Sequence, residues 1–258
     1  MSSVQLLTLT VFACVMAQGA QAGFINLDSV ATGSIEQYVV RPGGNTFFEE
    51  YTSENPLETL GYTKSFQISG RPISYRTEAR GYAVFDVSTF AGMVNGATLE
   101  LDLQRSTGNL SGTQLSVRTV DSATAAELAA NPVGTQSAAV SIDDFPDPPA
   151  ALFEALAGQY GMLGAGTEAG LFAQSGTYNG LFEIELNAIA VDLINAGGGL
   201  FALGLQSIDD TGCIFCSDTL TVNRAPRLIL TSDSFSVPVP ATLWLVGGAL
   251  MLLIRRPA

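Results

Sequence analysis

Apolar residues recur at every second position along several short stretches of this chain. The clearest is 97–103, which sets Leu99, Leu101 and Leu103 on one face of an extended strand and Thr98, Glu100 and Asp102 on the other. A Gly/Asn/Ser turn follows, and residues 114–120 read as a second strand. Residues 36–40 form a short strand stopped by Arg41-Pro42-Gly43-Gly44. Stretches 81–87, 181–186, 200–205 and 227–230 complete the set, punctuated by Gly, Asn and Asp at the spacing of a β-sandwich.

Helical spacing is scarcer. After Pro148-Pro149, residues 150–160 place Leu152, Leu156 and Tyr160 on one face. Asn187 is suited to cap a helix reaching Asn195, closed by Gly197-Gly198-Gly199. Residues 123–130 add one or two turns. The glycine-rich stretch 161–170 lacks both the phosphate-binding lysine and the glycine spacing of a nucleotide loop, and reads as a flexible surface loop.

The two ends differ from this body. Residues 6–17 are an apolar run, followed by Ala20-Gln21-Ala22, a small-x-small pattern that suits signal peptidase. Cleavage there would leave Gly23 as the new N-terminus; the competing reading is a buried N-terminal element. At the other end, residues 237–254 are uncharged and lead directly into Arg255-Arg256. As a helix these eighteen residues would span about 27 Å, enough for a thin bilayer. The arginines would lie on the cytoplasmic side and the body outside. Pro238 and Pro240 keep the preceding segment extended. The expected layout is therefore a signal peptide (1–22), one extracytoplasmic domain (23–231), a linker (232–236) and a membrane segment (237–258).

Composition removes several function classes. The 258 residues include no histidine, which excludes His-based triads and dyads and His-ligated metal sites. Lys64 is the only lysine available for amine chemistry. The formal charge is −13, and trimming both ends leaves 9 basic against 24 acidic residues, or −15. Such a body repels phosphate backbones, so nucleic acid is not an expected partner.

Three groups carry candidate chemistry. Cys213 and Cys216 are the only cysteines outside the apolar N-terminal run and read as a disulfide in an oxidising compartment. Asp143, Asp144 and Asp147 form an acidic loop, as do Asp209 and Asp210; these are solvated turns, a weak structural Ca²⁺ site or a glycosidase pair. Phe47, Phe48, Tyr51 and Tyr62 read as core residues, with a sugar-stacking platform as the alternative. No other cofactor is expected.

The tail resembles the PEP-CTERM sorting signals of Gram-negative bacteria, which order a Val-Pro-x-Pro box, a short apolar helix and a basic cluster. Here the box is Val237-Pro238-Val239-Pro240 and the cluster Arg255-Arg256, with Val239 where the family name has Glu. The resemblance covers about the last 22 residues. It implies a membrane-held precursor that an exosortase-type transpeptidase cuts near the box, with the product reaching the outer surface or an exopolysaccharide-rich biofilm matrix. The body resembles DNRLRE-type extracellular β-sandwiches through Arg80-Gly81 to Phe85-Asp86-Val87-Ser88, Gly96-Ala97-Thr98-Leu99, Asn187 to Asn195 and Arg224-Ala225-Pro226-Arg227-Leu228. That implies a mainly β, jelly-roll-like sandwich with a few short helices and no catalytic residues to carry over. The expected function is non-catalytic, at the envelope or in the matrix; the alternatives are a carboxylate-based envelope hydrolase and a purely structural adhesin.

Overall fold

The computed structural model describes residues 23–42, 48–54, 59–60, 63–67, 73–88, 90, 92–105, 113–130, 136–141, 151–174, 179–207 and 220–232. The first strands are β1 (Gly23–Asp28), β2 (Ala31–Pro42), β3 (Phe48–Glu54), β4 (Thr59–Leu60), β5 (Thr63–Gln67) and β6 (Ile73–Asp86). β7 (Gly96–Arg105), β8 (Thr113–Val120), helix α1 (Ser122–Ala130), β9 (Gln136–Ser141) and helix α2 (Ala151–Ala165) follow. The last elements are β10 (Glu168–Gln174), β11 (Asn179–Glu185), helix α3 (Ala188–Gly197), β12 (Leu200–Ser207), β13 (Leu220–Val222) and β14 (Arg227–Ser232). The chain is thus mainly β, and its strands pair as two antiparallel sheets.

β7 is the axis of the six-stranded sheet. β11 pairs with residues 98–104 of β7, so β14 (at 96–100) and β13 (at 103–105) must share the other side. β1 flanks β14, and β4 flanks β13. The eight-stranded sheet runs β10-β8-β12-β6-β2-β3-β9. Its axis is the 14-residue β6, with β2 on one side and β12 and β5 end to end on the other.

Alternation sorts the side chains into two cores. Leu99, Leu101 and Leu103 of β7 are fully buried against Phe85, Leu115, Leu203 and Leu205 of the facing sheet. This is the sandwich interior, where each such side chain contributes about 1.5–3 kcal/mol of hydrophobic stabilisation. The opposite face of the eight-stranded sheet is buried too. There Ile35, Tyr82, Val84 and Ala202 pack under Ala125 and Leu128 of α1 and Leu156, Tyr160 and Leu163 of α2. Residues 201–205 are consequently buried on both faces, which explains their continuous apolar run. α2 lies so close that a Cβ on Gly204 would collide with the Leu163 carbonyl oxygen.

All seven strands expected from alternation are present, within β2, β6, β7, β8, β11, β12 and β14; β2 and β6 begin five and eight residues earlier than expected, and the other ends agree to within two residues. Asn187 caps α3 as expected, its side chain accepting from the Ala190 amide, and Gly198 closes the helix at φ 49°. One expectation is overturned. Residues 161–170 are not a loop: 161–165 are the last turn of α2, and 168–170 open β10. Their glycines permit close packing, as at Gly166, where a Cβ would strike the Thr119 carbonyl. Among the described residues no helix is long and apolar enough to cross a membrane.

Candidate functional site

Most sequence-predicted site residues lie outside the described residues. These are Ala20 and Ala22 of the signal pattern, the Asp143, Asp144 and Asp147 loop, Cys213 and Cys216, and the tail with Val237, Pro238, Val239, Pro240, Arg255 and Arg256. Gly23 is described: it opens β1 and pairs with Ser232, the last residue of β14. Among the described residues no group of three or more Cys, Asp or Glu is placed to hold a metal ion.

The aromatic candidates separate. Phe47 and Tyr62 lie outside the described residues. Phe48 is half-buried and meets Tyr38 edge-on, with ring centroids 6.1 Å apart. Tyr51 is core: it is buried on the helix-covered face, 5.2 Å from Phe153 and 5.5 Å from Tyr160. Its hydroxyl donates to Glu49 Oε1 (2.6 Å) and accepts from Gln37 Nε2 (2.8 Å). Burial, then the bond to Glu49, push its ionisation far above the usual phenol range.

A polar cluster around a buried acid on β6 was not anticipated. Arg76, Glu78 and Arg80 alternate along β6, so strand geometry sends all three to the helix-covered face. Glu78 is almost fully buried. Arg76 donates to its Oε2 (2.7 Å), while Arg80 and Gln206 donate to its Oε1 (3.0 Å each). Arg80 then reaches α2. Its Nη1 donates to the Tyr160 carbonyl (2.9 Å), and its guanidinium lies over the Tyr160 ring at 4.0 Å. The Tyr160 hydroxyl is buried without a well-formed hydrogen bond; burial and the nearby Glu78 charge keep it protonated. Every acceptor oxygen of Glu78 is engaged, so the cluster clamps α2 to the sheet. The sequence signal was available as Arg-x-Glu-x-Arg at period two.

A second arginine works at the C-terminal end of α2. Arg118 Nη1 donates to the Gly166 carbonyl (2.9 Å), just past the helix, where cations are favoured.

The outer face of the six-stranded sheet is acidic instead. Thr98, Glu100 and Asp102 of β7 stand beside Glu185, Glu183 and Leu181 of β11, placing Glu100 directly opposite Glu183. Arg227 contacts Glu100 (3.3 Å) and Asp28 (3.2 Å), and Arg224 contacts Asp102 (3.1 Å). An open hollow of about 350 Å³ at one end of this face is lined by Gly96, Thr98, Glu183, Glu185 and Thr231. A third acidic group lies on β2 and β3. Burial, then the charges of Glu54 and Glu50, raise the pKa of Glu36.

No family model matches this chain, and no curated protein matches it.

Proposed function

We propose that this chain is a non-catalytic protein of the cell envelope or extracellular matrix, exported and then sorted through its C-terminal tail by an exosortase-type enzyme. The observation that carries the reading is the order of the tail: a Val237-Pro238-Val239-Pro240 box, an uncharged run to Ile254, then Arg255-Arg256. The pairing of Gly23 with Ser232 supports it, because the signal-peptide junction and the tail junction then leave the body side by side. The body is a jelly roll in this reading. The order β1-β14-β7-β11 facing β6-β12-β8-β10 supports that, with β2, β3 and β9 as an extension of the second sheet and α1, β9 and α2 as one insertion. Exopolysaccharide is the proposed partner, as the resemblance of the tail implies.

The test is terminal mass spectrometry on fractionated Gram-negative cells expressing the full chain with and without an exosortase. The expected product starts at Gly23 and loses the tail only when the exosortase is present. Pro238→Ala combined with Pro240→Ala abolishes that loss. Uncut, lipid-free chain in the cytosol would overturn the proposal.

A further inference from the structure

We infer that the end of the sandwich closed by α3 is the surface this protein turns toward lipid, with Met93, Ile189 and Leu193 meeting the headgroup zone. The inference rests on the membrane-tail reading above.

Three segments converge on this end. β14 finishes there, since its Thr231 pairs with Gly96, the first residue of β7, and its Ser232 with Gly23. The loop before β7 is joined to it: the Asn95 amide donates to the Thr231 carbonyl (2.9 Å). α3 is fastened to the same loop, because the Asn195 side chain accepts from the Val94 amide (2.8 Å) and donates to the Val94 carbonyl (2.9 Å). α3 leaves β11 in one sheet and enters β12 in the other, so it lies across the end of the sandwich.

Its two faces are unlike. Ala190 and Ile194 enter the sandwich core, while Ile189 and Leu193, four residues apart on the outward side, are 47% and 45% exposed. Met93 in the adjoining loop is 67% exposed, and Phe24, paired in register with Thr231, is 71% exposed. These are four of the nine large apolar side chains that stand exposed among the described residues.

Chain length names the occupant. Only residues 233–236 separate Ser232 from Val237, where the uncharged segment begins. Fully extended, that tether spans about 17 Å. A body held so closely meets the bilayer with whatever surrounds Ser232, and that surface is this apolar end. Asp192 and Glu185 are exposed at the same end, so contact stays in the interfacial zone and anionic lipid opposes it.

The experiment uses the chain from Gly23 to its C-terminus with Cys213 and Cys216 replaced by serine, reconstituted into phosphatidylcholine vesicles. An environment-sensitive fluorophore is attached through Leu193→Cys, or Ile189→Cys as an independent second position. The control, Asn179→Cys, lies at the far end of β11. Headgroup-spin-labelled lipid should quench the 193 and 189 labels at least twofold more than the 179 label. Replacing half the lipid with phosphatidylglycerol should narrow that difference. Equal quenching at 193, 189 and 179 in chain that floats with the vesicles overturns the inference and leaves the membrane tail standing. Chain that does not float overturns both.

Discussion

The two sheets present their outer faces to different surroundings. That of the eight-stranded sheet is roofed by α1 and α2, and the charges beneath are held in pairs, with Glu78 enclosed by Arg76, Arg80 and Gln206. On the six-stranded sheet Glu183 and Glu185 are exposed, and Glu100 faces Glu183 across the strand pair. Acids are common to both faces. The roofed face tolerates its acid because cationic and amide donors fill it, whereas on the bare face Arg227 and Arg224 meet Glu100 and Asp102 from the edge and water screens the exposed Glu183 and Glu185. The same residue type thus fastens a layer in one place and sets surface potential in the other.

Three substitutions probe this contrast. Glu78→Gln should cost about 3 kcal/mol, near the lower limit for a buried ion pair left with one partner, because Arg76 keeps access to water. Urea unfolding measures it, and a loss below half that value would mean the roof is held by apolar packing alone. Asp121→Ala should cost about 1 kcal/mol, by removing the cap of α1. The Asp121 carboxylate accepts from the Ala123 and Thr124 amides (3.0 Å each) and from the Thr124 hydroxyl (2.6 Å). The hydroxyl bond, then the Thr124 amide, hold its pKa below the ordinary 3.8. Its stabilisation is therefore complete above that value and lost as pH falls through the lowered one. Melting curves of Asp121→Ala and the parent should converge in acid and diverge at neutral pH. On the bare face Glu183→Thr should stabilise by about 0.5 kcal/mol by removing a like-charge cross-strand pair. That gain should shrink in high salt; a gain insensitive to salt would mean that repulsion is not its source.

Strong, one-sided patterns were legible in the sequence. The Leu99-Leu101-Leu103 stripe, the Asn187 cap and the glycine stop of α3 each follow from a local rule that the fold leaves intact. Seven strands (β1, β3, β4, β5, β9, β10 and β13) and the last turn of α2 escaped. β3 reads Phe-Glu-Glu-Tyr-Thr-Ser-Glu, and its alternation is hidden because Tyr51 is buried with its hydroxyl satisfied by Glu49 and Gln37. The end of α2 and the start of β10 were masked by glycines, which look the same in sequence whether they serve mobility or close approach; only the Thr119 carbonyl beside Gly166 distinguishes the two. The clamp at Glu78 escaped because Arg-x-Glu-x-Arg resembles an ordinary solvated strand until a helix is laid over it. The tail reading rests on the order of its residues alone, and those residues lie outside the described ones.

The position of β14 has a consequence for how the chain acquires its shape. It is the last described strand, yet it sits between β1, the first, and β7. A polypeptide released N-terminus first, from a ribosome or through a channel, exposes β1 long before the segment that pairs with it exists. Until residues 227–232 emerge, β1 has no neighbour and the β7 edge stays open, an invitation to wrong pairing. Pairing of residue 23 with residue 232 is about as non-local as this body allows, so folding should be slow and its final step post-translational.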